Sequence, residues 1–566
     1  MNGSLWQARP VVSDEHLPRN LHPVVRRVYA TRGMQRAQEA DLQLKYLLRP
    51  SSLKGLDAAA GHVADAITAG HRIAIAGDFD ADGATASALC VRALLALGAA
   101  DVRSFVPDRF RYGYGLSPQL VADMAEFAPQ LLITVDNGIS SHAGVDAARA
   151  QGMRVVVTDH HLAPVSLPAA DAIVNPNQPG CAFPSKALCG VGVAFYLLSA
   201  VRRALQDRGR TDDLPNLATY LDLVALGTVA DVVTLDYNNR ILIEQGLRRV
   251  RAGRAAPGIL ALLDLAGRDY TRATAQDLAF AVGPRLNAAG RLDDMSVGIR
   301  CLLSDDPHEA RTLAAQLDAL NRERRQIQDG MHADALAELE SVGRDSDQVG
   351  LVVMQADWHE GVVGLVASKV KEARHRPVVA FAPAASEAGT LKGSARSIPG
   401  FHMRDALAEI DSLTPGLIGK FGGHAMAAGL SLAIDRLEAF RLAFDAVARR
   451  HLSDEQLADI RLTDGSLSAA ELDLETATAL EAAGPWGQGF EAPLFEGQFQ
   501  VLDQRIVGER HVKAKLAAAP GMEIGAIAFN QEPIEAQSVR ALYRLEANEF
   551  RGYVNAQLVI EEWRAD

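Results

Sequence analysis

Carboxylates gather at the ends of several short segments in this sequence. They are GDFDADG from Gly77 to Gly83, VDNG from Val135 to Gly138, TDHH from Thr158 to His161, and GTVAD from Gly227 to Asp231. Brought together, Asp78, Asp80, Asp82, Asp136, Asp159 and Asp231 would repel one another and lose stability unless a cation sat among them. Divalent metal is the economical answer. Aspartates mixed with His160 and His161 suit manganese, magnesium or zinc, and the excess of carboxylate oxygens over thiolates favours the harder ions. This many ligands exceeds what one catalytic ion with open positions accepts, so a pair of ions about 3.5–4 Å apart, sharing one Asp, is expected. Such a pair would activate a water and neutralise phosphoryl charge, which is the chemistry of phosphoester hydrolysis.

Each segment alone has a plainer explanation. A calcium loop starting at Asp78 would need Glu at its twelfth position, where Leu89 stands. VDNG alone reads as an Asn-Gly turn, and adjacent histidines are common in loops. Only the set points to a site.

The elements that would carry these residues alternate between β-rich runs and helical stretches from about His71 to Asp231. RIAIA from Arg72, LLITV from Leu131, Arg154 to Val157 and LDLVAL from Leu221 are unbroken apolar runs, which predict strands buried on both faces of a parallel sheet. In such sheets ligands gather beyond the carboxyl ends of the strands, so each acidic segment stands at a predicted strand end. After Asp306-Pro307 the Ala-, Leu-, Gln- and Arg-rich stretch to about Leu339 predicts one long helix. A second α/β region begins at Gly350. FEGQFQV from Phe495, RIV from Arg505, VKAKL from Val512 and VNAQLVI from Val554 predict a small antiparallel barrel or sandwich.

Length and composition set the frame. A chain of 566 residues, 48% hydrophobic and 22% charged, is an ordinary multidomain globular protein. The four cysteines, Cys90, Cys181, Cys189 and Cys301, are too scattered for a disulfide framework or a zinc site. A net charge of −13 argues against a uniformly basic nucleic-acid coat but allows a local basic groove. MNGSLWQARP has no secretory apolar region, and no apolar run reaches membrane-spanning length, so a cytoplasmic protein with no membrane association is expected.

In order and spacing, the four acidic segments resemble the motifs of the DHH phosphoesterase superfamily. FVPDR (Phe105–Arg109), GYGL from Gly113, PRLNAAGR (Pro284–Arg291), WHEG (Trp358–Gly361), GSARS (Gly393–Ser397) and GGHAMAAG (Gly422–Gly429) resemble its RecJ branch, whose members are bacterial single-strand-specific 5′→3′ DNA exonucleases. The resemblance covers nearly the whole chain. It implies an α/β fold with a parallel-sheet DHH catalytic domain, a long helix, a second α/β DHH-associated domain and an OB-fold barrel. The corresponding divisions are an N-terminal segment 1–50, then 51–300, 301–345, 346–452 and 460–566.

It further implies metal ligation of two Mn2+ or Mg2+ ions by Asp78, Asp80, Asp82, Asp136, His160 and Asp231, with Asp136 as the bridge. Asp78 stands where many superfamily members carry histidine. His161 matches a position beside the reacting phosphate, and Asp159 one that orients its histidine neighbours. Arg109, Tyr114, Arg285, Ser394, Arg396 and His424 are the implied strand contacts. In the barrel, Lys513 and Lys515 alternate onto one strand face where they could follow a phosphate backbone. PWGQGFE, Pro485–Glu491, carries Phe490-Glu491 where the branch implies Asn-Pro. GVGVAF from Gly190 lacks the third glycine and the preceding strand of a dinucleotide fingerprint and reads as core packing.

The implied function is a two-metal exonuclease in DNA repair and recombination that releases 5′-mononucleotides from single-stranded DNA. A monomer is expected, with a single-strand-binding protein and a helicase as candidate partners. Two alternatives stand beside it: a DHH phosphoesterase for short oligoribonucleotides or nucleoside bisphosphates, and an inactive replication scaffold.

Overall fold

A computed structural model of the chain describes every residue except 1–3, 110, 211–212, 342–347, 386 and 509. The expected division at 345/346 lies outside the described residues. An N-terminal strand, β1 (Leu5–Ala8), precedes a sheet of β2 (Arg72–Ala76), β3 (Asp101–Phe105), β4 (Leu131–Val135), β5 (Arg154–Thr158) and β6 (Ala172–Val174). Its order is β3-β2-β4-β5-β6, with every pairing parallel. β4 is buried along its whole length, and β2 and β5 are buried beyond their first residue, because helices cover both faces. The chain leaves β2 toward β3 on one side and returns to β4 on the other. The carboxyl ends of β2 and β4 therefore flank the crevice where such sheets bind ligands.

One expected strand is a helix. LDLVAL lies in a helix, Leu221–Ala230, whose residues from Leu221 to Val229 are all buried. A helix apolar on every side carries no periodicity that would separate it from a buried strand. Asp231 therefore comes from a helix terminus, carried to the site by packing against the Ala81–Ala96 helix that follows β2.

The expected long helix spans Pro307–Ser341, about 50 Å at 1.5 Å per residue. Beyond it a mixed sheet contains β7 (Leu351–Met354), β8 (Val378–Pro383), β9 (Thr390–Arg396), β10 (Lys420–Gly423) and β11 (Ala427–Ala433), in the order β10-β11-β9-β8-β7. β12 (Ile460–Thr463) pairs in parallel with β1 and ties the amino terminus to the entry of the last domain. That domain is a closed barrel of β13 (Phe495–Val507), β14 (His511–Ala519), β15 (Met522–Phe529), β16 (Ser538–Phe550) and β17 (Tyr553–Ala565), in the order β13-β14-β15-β17-β16. FEGQFQV and RIV belong to one strand, β13. A register shift between Val501 and Asp503 bends it and breaks its alternation.

A stacked cation anchors the barrel entry. The Arg240 guanidinium, on the Tyr237–Arg251 helix, lies 3.8 Å from the Phe490 ring centre and 5.6 Å from that of Tyr29. Phe490 also stacks on Trp486. The Phe490-Glu491 departure in PWGQGFE thus supplies an aromatic face for a buried arginine. Among the described residues, no helix is long and apolar enough to cross a membrane.

Candidate metal centre and strand cleft

Three loops after strands and one helix end meet at the crevice. Asp80 caps the Ala81–Ala96 helix, accepting from the Asp82 and Gly83 amides at 2.9 and 3.0 Å. Asp82 is turned the other way, accepting from the amides of Gly190 and Val191 at 2.7 and 2.8 Å. These amides open the Gly190–Asp207 helix, so its positive end faces the carboxylate cluster. A Cβ at Gly190 would lie 2.5 Å from the Asp136 Cβ, and one at Gly227 would lie 2.9 Å from an Asp82 oxygen. GVGVAF is therefore more than core packing: its first glycine lets backbone approach the acidic cluster. The contact joins residues far apart in the chain, and no local pattern announces it.

Asp136 has φ 63°, a left-handed conformation that a non-glycine residue holds only under constraint. Its Oδ1 lies 3.1 Å from His160 Nε2, which is 3.5 Å from Asp231 Oδ2. All three atoms are buried without a hydrogen-bond partner among the described residues. Ligand atoms within 4.8 Å of one another group as Asp78/Asp80/Asp136, Asp82/His160/Asp231 and Asp136/His160/His161. Orphaned buried oxygens and a nitrogen among crowded carboxylates fit a cation site. Asp159 is engaged differently, accepting from the amides of Ile139, His160 and His161 and from His161 Nδ1 at 2.7 Å. It has no place in those groups.

Electrostatics agree. Burial, reinforced by neighbouring aspartates, holds Asp78, Asp136 and Asp231 well above the usual carboxylate range and pushes Asp82 up to about 7. Burial and the His161 charge push His160 down to about 3, leaving a neutral imidazole suited to ligation. Burial opposes charge on His161 too, but its bond to Asp159 wins and raises it. Asp82 has a folded pKa above its unfolded one, so its stabilising effect is present at acid pH and is lost as pH rises through about 7, and Asp78, Asp136 and Asp231 act in the same direction. Metal-free protein should thus have a higher Tm near about pH 6 than near about pH 8. Saturating Mn2+ should add more to Tm at the higher pH, because protons and metal compete for the same oxygens. Equal Tm values at both pH values without metal would refute this electrostatic picture.

Among the described residues, arginines that form no ion pair line the facing wall. The Arg109 guanidinium lies 4.7 Å from the Phe79 ring centre. Arg396 donates to Ser394 Oγ at 3.0 Å and to its neighbour's carbonyl, and a Cβ at Gly364, near the start of the Val363–Arg374 helix, would meet both side chains. Arg291 donates to the Gly361 carbonyl, and burial together with Arg109, Arg396 and Arg324 pushes it down to about 9. Mutual repulsion of this kind favours an anion among them. His424 reaches across from the β10–β11 turn and stacks on His161, ring centres 6.3 Å apart. Tyr114 donates to the Asp136 carbonyl at 3.0 Å and sits 3.1 Å from His161 Nδ1.

Arg285 is elsewhere: it is buried, donating to Asp318 at 2.8 Å and to the Ala281 carbonyl. Arg291, which the sequence reading passed over, is the arginine of PRLNAAGR that enters the cleft. Asn287 of the same motif was also missed, and it accepts from the Ala81 amide at 2.7 Å. In the barrel, Lys513 and Lys515 share the outward face of β14. Lys513 Nζ lies 5.3 Å from the Phe550 ring centre, while Lys515 pairs with Glu523.

Residues 72–228 match the DHH family, N-terminal domain; residues 347–450 match the DHHA1 domain; and residues 463–562 match the RecJ OB domain. The single-stranded-DNA-specific exonuclease RecJ of Dickeya dadantii is 52% identical over 98% of both chains, and that of Escherichia coli is 51% identical over the same shares. The crystal structure of RecJ from Thermus thermophilus in complex with Mn2+ matches with a TM-score of 0.83 at 30% identity. The match covers 99% of this chain and 80% of that one.

Proposed function

The chain belongs to the RecJ family of single-stranded-DNA-specific exonucleases, and on that premise we propose that it degrades single-stranded DNA from the 5′ end, releasing 5′-mononucleotides in repair and recombination. One observation carries the reading: the buried, unpartnered Asp136 Oδ1, His160 Nε2 and Asp231 Oδ2 open onto a cleft walled by arginines. Asp78, Asp80, Asp82, Asp136, His160 and Asp231 would hold two divalent ions, Mn2+ or Mg2+, with Asp136 shared. When bound, these supply Lewis acidity toward water and the phosphoryl oxygens.

The chain's own groups do the rest. Asp159 fixes the His161 ring through Nδ1, leaving Nε2 to hold a proton for a phosphate oxygen or the departing 3′ oxygen. Arg109, Ser394 and Arg396 bind strand phosphates, with Arg291 beside them, and Tyr114 and His424 bracket His161. The His161 and His424 rings, 6.3 Å apart, close over the metal centre, which supports a single strand over a duplex as substrate. Lys513 and Lys515 on the barrel face support a long substrate over a dinucleotide, and the complete ligand set supports an enzyme over a scaffold.

The divisions 1–50, 51–300, 301–345, 346–452 and 460–566 are proposed as functional modules of a cytoplasmic monomer, with a single-strand-binding protein and a helicase as partners. Strands labelled at either end, incubated with Mn2+ or Mg2+, test the activity. Labelled mononucleotide should appear at once from the 5′ label and only late from the 3′ label, with duplex resistant. Cleavage of dinucleotides alone would overturn the proposal.

A further inference from the structure

Strand β5 ends at Thr158, and the Asp159 amide still bonds to the Val174 carbonyl of β6 at 3.1 Å. His160 and His161 follow outside the sheet, so other groups must hold their backbone. Asp159 takes both amides. The carbonyls are taken from the opposite side by Asn-Pro-Asn, the turn that leaves β6. Asn177 Nδ2 donates to the His160 carbonyl at 2.6 Å, and the buried Asn175 donates through Nδ2 to the His161 carbonyl at 2.9 Å.

The partners fix which way each amide points. Asn175 Oδ1 accepts from the Asn177 backbone amide at 2.7 Å, closing a turn around Pro176, so its nitrogen faces His161. Asn177 Nδ2 also reaches the Lys186 carbonyl at 3.2 Å, and only a donor can serve two carbonyls. The turn is held in its own right. Lys186 Nζ donates to the Pro176 and Cys181 carbonyls at 2.6 and 2.9 Å, and Gln178 Nε2 to those of Lys54 and Ile173 at 3.1 and 2.9 Å. Beyond Lys186 the same stretch runs to the Gly190 and Val191 amides that hold Asp82.

The two bonds do different work. A peptide plane carries one residue's carbonyl and the next residue's amide. The plane between His160 and His161 is held by Asn177 at its oxygen and by Asp159 at its nitrogen, and it sets a torsion of each histidine. The plane after His161, held by Asn175, sets a torsion of His161 alone. We infer that Asn177 is a positioning residue for both histidines and Asn175 for His161 only. The inference rests on the metal role proposed for His160 and the phosphate role proposed for His161. Neither asparagine stands among the candidate ligands, yet partners that orient a ligating imidazole are worth about 10- to 100-fold in metal affinity or rate.

The test compares wild type, Asn177→Ser, Asn175→Ser and Gln178→Ala. Mn2+ affinity is read by calorimetry on metal-free protein, kcat on single strands at saturating Mn2+, and Tm without metal. Serine is too short to reach either histidine carbonyl, but at 175 its hydroxyl still accepts from the Asn177 amide. Asn177→Ser should weaken Mn2+ binding about tenfold and lower kcat as well. Asn175→Ser should lower kcat about tenfold while Mn2+ affinity stays within about twofold of wild type. Gln178→Ala, which removes two bonds of the same turn away from the histidines, should lower Tm and change neither affinity nor kcat. Unchanged Mn2+ affinity in Asn177→Ser, or an equal loss of affinity in Gln178→Ala, overturns the inference. That contrast decides even where Asn175→Ser fails to fold. Wild-type protein that binds Mn2+ but cuts no single strand overturns the activity reading instead.

Discussion

Asp136→Asn is expected to lower kcat on single-stranded DNA by about 10³-fold or more, the equivalent of several kcal/mol of lost charge stabilisation. Asparagine is the informative replacement. At φ 63° it tolerates the left-handed backbone better than alanine does, and it adds no bulk where Gly190 leaves no room. The substitution also removes one negative charge from a buried cluster in which Asp78, Asp80, Asp82 and Asp231 repel Asp136. Metal-free Asp136→Asn should therefore melt higher than metal-free wild type, and Mn2+ should stabilise it less. Calorimetry with and without Mn2+ reads both effects beside the rate. Retained activity would sink the assignment of Asp136 as the shared ligand. Lost activity with a lowered metal-free Tm would show a structural role instead.

Legibility in the sequence followed locality. β2, β4 and β5 could be read because each is a short apolar run closed by an acidic loop, and burial on both faces is why the runs are unbroken. The same signal misled at Leu221–Ala230, where burial on all sides erased the helical period. Strand β13 was split in two because its register shift near Leu502 interrupts the alternation. Candidate ligands were legible because like charges so close together demand an explanation. The amides of Gly190 and Val191 were not, since their contacts with Asp82 span 108 and 109 positions and exist only once two helices have packed. Resemblance to the RecJ branch named the PRLNAAGR motif, but only the packing of its helix shows which arginine faces which neighbour.

Six residues turn an α-helix through about 600°, which leaves Arg285 and Arg291 about 120° apart around its axis. That angle divides their roles. Arg285 faces the long helix, pairing with Asp318, whose other partner, Arg322, is largely exposed. Arg285→Met should cost about 3 kcal/mol of stability, because a buried carboxylate loses its inner partner, while KM for single strands changes little. Arg291 faces Arg109 and Arg396 and is held by a single long bond to the Gly361 carbonyl, so the folded protein gains little from its charge. Arg291→Met should leave Tm unchanged or raised and should increase KM by about 10- to 100-fold, the loss of a charged hydrogen bond to phosphate. Denaturation curves and steady-state kinetics on both variants read the contrast. Should Arg285→Met raise KM at unchanged stability, the arginine of this motif that meets DNA would be Arg285, and the cleft would have to extend beneath the helix toward Asp318.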